Sequence, residues 1–156
     1  MPHVRQQIRD AIKAQLLAHV TLVAPVNVTC NRIEPFQPKD AHSNDVDELP
    51  AINIVTQDES TDGRTIGNCS RYKVSQIIDI EIYSDLKDGY ENEIDNICVE
   101  VQKAMETPYK LGLGLNSVAY NGSKVSREKA ERPFVTRSLE YDVMFKLDHN
   151  NPEIFT

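Results

Sequence analysis

Between residues 72 and 83 the sequence YKVSQIIDIEIY alternates in character. Tyr72, Val74, Ile78, Ile80 and Ile82 fall on one side of an extended chain, and Lys73, Ser75, Asp79 and Glu81 fall on the other. A period of two is that of a strand with one buried face. The turn formers of residues 84–89 interrupt it. From Tyr90 the apolar step lengthens to three and four, through Ile94, Ile97, Cys98, Val101 and Met105, which is one stripe of a helix. An earlier helix is marked the same way by Val4, Ile8, Ala11, Ile12 and Leu16, with Arg5, Arg9 and Lys13 on its wet side and Pro2 just before it.

The remaining strands follow in order. Pro25 and the β-branched run after it predict an extended entry into a strand over 28–33. LPAINIVT, residues 49–56, predicts a second strand with Ile52 and Ile54 on one face. Pro108 stops the second helix. Residues 113–120 form a strand weakened by Gly112 and Gly114; Asn121-Gly122 then signals either a turn or a chain that stays extended through Val125. The clearest strand is 134–147. Val135, Leu139, Tyr141, Val143, Phe145 and Leu147 point one way, and Thr136, Ser138, Glu140, Asp142 and Lys146 the other.

Polar stretches separate these elements: 34–48, 57–70 with Gly63 and Gly67 at a hairpin tip, and the charged tip SREKAER at 126–132. Helix, strands, helix, strands describes an α+β fold of two layers, a mainly antiparallel β-sheet with two α-helices packed on one face. Residues 1–148 make a single domain, and 149–156 are a C-terminal tail.

Composition alters this picture little. At 156 residues and 40% hydrophobic content the chain can bury an ordinary core without staples. The net charge of −7 argues against wrapping nucleic acid, which needs clustered cations, but suits a surface that DNA passes without adhering. Charges interrupt the N-terminal apolar run, so it reads as an amphipathic helix and not a signal peptide, and no stretch reaches the ~20 apolar residues of a membrane span. Cys30, Cys69 and Cys98 are odd in number and lack ligand spacing, which points to a reducing cytoplasm.

Candidate chemistry is sparse, and no cofactor is expected. Gly112-Leu113-Gly114 lacks the third glycine and the strand-to-helix setting of a dinucleotide loop, and Gly122-Ser123-Lys124 lacks the order of a phosphate loop. His3, His19, His42 and His149 are scattered, with no zinc spacing. Asp40, Asp45, Asp47 and Glu48 lack the spacing of a calcium loop and read as a solvated acidic stretch, an incidental magnesium site being the alternative. Cys98 lies on the apolar stripe of a helix and reads as core. The glycosylation triplets at Asn27, Asn68 and Asn121 have no secretory context. Two charged groups are candidate protein contacts: Asp58, Glu59, Asp62 and Arg64 in the first hairpin, and Arg127, Glu128, Lys129, Glu131 and Arg132 in the second. For the second group a solvated turn is the simpler reading, and the sharper one is a contact surface for an oppositely patterned neighbour, where charges set register more than affinity.

In order and texture the chain resembles the tail terminator proteins of long-tailed bacteriophages, the minor tail protein U family. The resemblance rests on the helix at 4–17, on LPAINIVT, YKVSQIIDIEIYSD and YENEIDNICVEVQKAMET, and on the closing strand RPFVTRSLEYDVMF; the insert 34–48 departs from it. It implies a non-enzymatic virion protein: a hexameric ring at the top of the tail tube, at the neck. That ring stops addition of tube protein and offers a joining surface to the head-tail connector, while DNA passes through its lumen without specific binding. Another neck or tail-completion protein is the nearest alternative. A small cytoplasmic enzyme or ligand-binding domain is the more distant one, because a fold does not fix a function.

Overall fold

The structure is a computed structural model, and it describes residues 3–34, 36, 48–61, 71–85, 88–106, 109–128 and 134–148. Its middle strand is β3 (Arg71–Asp85) in a five-stranded sheet of order β1-β2-β3-β5-β4, where β1 is Val28–Cys30, β2 Ala51–Thr61, β4 Ser117–Glu128 and β5 Phe134–Asp148. Helix α1 spans Val4–His19, and α2 spans Tyr90–Glu106. All strand pairs are antiparallel except β1 with β2. The expected α+β class, with a mainly antiparallel sheet and two helices, is what the chain adopts.

The alternation of β3 decides how the layers meet. Val74, Ile78, Ile80 and Ile82 are fully buried, and they stand opposite Phe145, Tyr141, Leu139 and Arg137 of β5. Onto this face α1 lays Val4, Ile8, Ile12 and Leu16, and α2 lays Ile94, Ile97, Val101 and Ala104, all within one apolar cluster. Burying one such isoleucine is worth about 2–3 kcal/mol, so the cluster dominates the fold's stability. Two polar residues share the core face of β3. Gln76 is buried there, and Ser84 donates to Glu93 Oε1 of α2 at 3.1 Å.

Side chains also tie the helices to their neighbours. His3 caps α1 by accepting from the Arg5 amide at 3.3 Å. Glu100 of α2 accepts from the Thr21 amide at 3.0 Å, the Thr21 hydroxyl at 2.7 Å and the Leu22 amide at 3.2 Å. The loop leaving α1 is therefore clamped to α2.

Several boundaries differ from the sequence expectation, each for a local reason. β1 ends at Cys30 instead of reaching 33, because Asn31 takes a left-handed φ of 49°. There its amide donates to Ile54 O at 2.8 Å and its Oδ1 accepts from the Thr56 amide at 3.1 Å. Asparagine visits this conformation more readily than most residues. β2 runs on to Thr61, five residues past the predicted end, since pairing with β3 resumes at Glu59 opposite Gln76 after a register shift. The predicted strand over 113–120 begins only at Ser117; a 3₁₀ turn at Tyr109–Gly112 precedes it and helps place Leu111 and Leu115 in the core. Asn121-Gly122 is not a turn. β4 stays extended across a bulge, with Gly122 at a φ of 129° that only glycine accepts readily. A Cβ at Gly122 would touch nothing within 4 Å, so backbone conformation and not space selects the glycine. Most of the polar stretches 34–48 and 57–70, with the tail 149–156, lie outside the described residues.

Two stability measurements test this account. Ile78→Ala should cost about 3 kcal/mol in urea denaturation, the range for a buried aliphatic truncated to a cavity. The Glu100 carboxyl sits below its ordinary value: slight burial alone would raise it, but the bonds from Thr21 and Leu22 outweigh that. A lowered acid stabilises the fold above its unfolded value and stops doing so as pH falls through the folded one. Glu100→Gln should therefore cost about 1 kcal/mol at neutral pH, after discounting for exposure, and close to nothing once the pH is below the carboxylate range.

Candidate functional site

The two charged groups singled out in the sequence fall at opposite ends of the sheet. Asp58 and Glu59 lie near the far end of β2, where Thr61 pairs with Val74; Arg127 and Glu128 lie where β4 meets Val135 and Phe134, beside the end of β3. Along β3 the separation from Gln76 to Asp85 is roughly 30 Å by strand rise. Asp62, Arg64, Lys129, Glu131 and Arg132 are outside the described residues.

Among the described candidates Asp58 and Arg127 are exposed and Glu59 is half-buried. Glu59 takes both the Nε and the NH2 of Arg5 in a forked pair that joins α1 to β2, and this bond, with the carboxylate's charge, raises the Arg5 pKa against a smaller burial penalty. Arg127 donates to the Tyr90 hydroxyl at 3.1 Å and lies 3.9 Å from Glu91, so it braces β4 to the first turn of α2.

A feature missed in the sequence lies on the face of the sheet away from the helices. Register places Asp79 directly opposite Glu140, with Glu81 opposite Ser138 and Asp142 opposite Ile77. Four carboxylates thus share the middle of that face, and each accepts from a neutral donor. Gln57 reaches Asp79 at 3.0 Å, Tyr83 reaches Glu81 at 2.6 Å, Asn121 reaches Glu140 at 3.4 Å and Ser75 reaches Asp142 at 2.6 Å. Partial burial pushes the Asp79 carboxyl up, and the charges of Glu140 and Glu81 push it the same way, while Gln57 and Lys124 pull it back. The sequence had assigned all four to wet sides of their strands; only the register shows that they meet.

At one end of this face the chain after β1 folds over the sheet. Asn53 holds it, accepting from the Arg32 amide at 3.0 Å and donating to Arg32 O at 3.1 Å. The Arg32 guanidinium bridges both oxygens of Glu48 at 3.0–3.1 Å and stacks 4.3 Å above the Phe36 ring. Phe36, Tyr83 and Phe134 continue as an aromatic row with centroids 5.0 and 6.0 Å apart. Glu48, a candidate cation ligand in the sequence, spends its carboxylate on this arginine. Asp40, Asp45 and Asp47 are outside the described residues.

On the helix side, α2 covers β3 and β5 but leaves β4 partly bare. The result is a groove of about 510 Å³ walled by Met105, Val118, Tyr120 and Tyr141, with Gln102 and Lys110 among its polar residues. Tyr120 and Tyr141 stack at 5.5 Å. Lys110 and the buried Leu111 at its edge both hold left-handed backbone, φ 53° and 57°. Further along, Arg137 occupies the apolar face of β5 and is satisfied by an ion pair with Asp95 of α2, although its Nε is buried without a partner among the described residues. Burial pushes the Cys98 thiol up to about 11 and raises Cys30 as well, so neither is a ready thiolate at neutral pH. Among the described residues no three His, Cys, Asp or Glu side chains gather as metal ligands.

No protein-family model matches the chain, and no curated protein matches it either.

The acidic face makes a signed prediction. Asp79 is a raised acid, so its ionisation works against the fold as pH rises through its folded pKa. Asp79→Asn should stabilise the protein by about 0.5 kcal/mol near neutral pH by removing a like-charge cross-strand pair. That gain should fade as the pH falls into the carboxylate range, which paired urea titrations of the two proteins would read.

Proposed function

We propose that this chain is a structural subunit of a long-tailed bacteriophage virion: a tail terminator whose six copies ring the top of the tail tube, block further addition of tube protein and present a joining surface to the head-tail connector. The observation that carries this reading is the layout of the sheet. A long β3–β5 pair separates two charged ends, one with Asp58 and Glu59, the other with Arg127 and Glu128. A spacer between two unlike partners needs two unlike ends held at a fixed distance, and an unbroken antiparallel ladder supplies that rigidity. The element order agrees with the segments on which the family resemblance rests.

The sheet face away from the helices supports the same reading. Asp79, Glu81, Glu140 and Asp142 give that face a negative field, and the chain's −7 is multiplied in a ring. Turned toward a channel, such a face repels a polyanion, so DNA passes without adhering. The work is done by shape and charge, with no bond made or broken.

The test is tube termination. Purified protein added to its cognate tube protein during polymerisation should give shorter tubes, with a six-membered ring at one end in electron micrographs. Tubes that grow to unchanged length with no bound protein overturn the assignment. Binding to the purified connector in place of the tube moves the protein to a neck position.

A further inference from the structure

Where the chain after β1 crosses the sheet, it encloses a cavity of about 420 Å³ on the face away from the helices. Ordinary ligand pockets have this size, roughly 300–1,000 Å³. Arg32, Glu34 and Phe36 wall it on the side of the crossing segment. The sheet supplies the floor. Register sets Glu81 opposite Ser138 and Tyr83 opposite Thr136, and all four residues border the cavity, with Phe134 at its end. A carboxylate, two aromatic rings and two hydroxyls therefore converge on one space.

The chain's own Arg32 shows what kind of group this surface suits. Its guanidinium is forked by Glu48 and lies over the Phe36 ring. Glu81 and Tyr83 repeat that combination of carboxylate and ring, two residues apart on the same face of β3. The Tyr83 hydroxyl donates to Glu81 Oε2 at 2.6 Å, and the Phe134 ring follows at 6.0 Å. A carboxylate has about four acceptor positions, so one hydroxyl leaves room for a forked donor. The charge balance favours a cation. Of the charged residues that border the cavity, Arg32 is matched by Glu48, which leaves Glu34 and Glu81. Lys124, opposite Ser138, stands two strands from Glu81, roughly 10 Å by strand spacing.

We propose that this cavity binds a guanidinium group, carried by a small molecule or by an arginine side chain of another protein. Glu81 accepts its N–H groups, the Tyr83 and Phe134 rings take its flat face, and the hydroxyls of Thr136 and Ser138 accept what remains. A guanidinium has donors only, and every polar group on this floor has lone pairs to offer. An anion would meet Glu34 and Glu81, and an apolar ligand would strip water from Glu81 without replacing it. The site does not depend on the ring reading, which the tube experiment tests on its own.

The test is an amide-shift titration of the isotope-labelled full chain with n-butylguanidinium and, separately, with N-acetylargininamide. Saturable shifts should cluster at residues 81–83 and 134–138. Glu81→Gln keeps the shape and can still accept from Tyr83, yet it should weaken binding at least about tenfold, the loss expected for a charge-assisted bond. Asp142→Asn removes the same charge from the same face, four positions along the ladder and roughly 13 Å away, and should change binding less than about twofold. n-Butylammonium, equal in charge but not planar, should bind several-fold more weakly, and neutral n-butylurea should not saturate. Binding of both guanidinium probes assigns the site to protein arginines as well as free ligands; binding of n-butylguanidinium alone assigns it to a small molecule. No saturation by either probe overturns the proposal. So does an equal loss in Glu81→Gln and Asp142→Asn, which would mean diffuse attraction to an acidic face, or equal binding of n-butylammonium.

Discussion

A strand with hydrogen-bonded neighbours on both sides has only its two faces left to trade, and β3 commits one of them completely. Val74, Ile78, Ile80 and Ile82 have no exposure, and both helices are present largely to cover them and their partners on β5. Once that face is dry, the other is left to polar and aromatic side chains, because among the described residues both helices lie on the first. The charged ends, the carboxylates and the aromatic row under Phe36 all follow from this one-sided burial. The register cannot slip by one residue without bringing Asp79 and Glu81 into the core, at a cost no loop could offset.

The same constraint explains why the apolar exposure lies at the margins. Two helices suffice to roof the middle of the sheet but not its width: α1 reaches β1 and β2, while α2 lies over β3 and leaves the helix side of β4 partly bare. Evolution could have filled the bare margin with lysines, the usual protection of an edge. β4 carries Lys124 and a bulge, yet also Tyr120 and Val125. An edge that keeps an exposed tyrosine and valine is only half guarded.

How much of this was legible depended on whether burial left a trace in the residue types. β3, β5 and both helices were readable because their periods run for many residues with few exceptions. The extension of β2 through Gln57–Thr61 left no such trace, since it is held by backbone pairing beyond the edge of the core. β1 was overextended because Ile33 looks like a strand residue, whereas Asn31 ends the strand in a left-handed conformation. Asn121-Gly122 spells a turn and makes a bulge, a choice set by the partner strand. Arg137 broke the apolar face of β5 in the sequence, and its partner Asp95 belongs to another element. The meeting of Asp79 with Glu140 was invisible for the same reason: alternation tells which side of a strand is wet, and never which residue of a neighbour stands opposite.

The ladder between β3 and β5 runs from Arg71 opposite Asp148 to Asp85 opposite Phe134 without an irregularity. Odd and even positions of one segment consequently answer to separate demands. The inner set is answerable to packing and tolerates little change, whereas the outer set touches water and is held mostly by single bonds from serine, tyrosine or amide groups. The outward side can thus be rewritten, even from anionic to cationic, while the scaffold beneath stays as it is. A lineage using this plate could refit it for a new neighbour by changing every second residue.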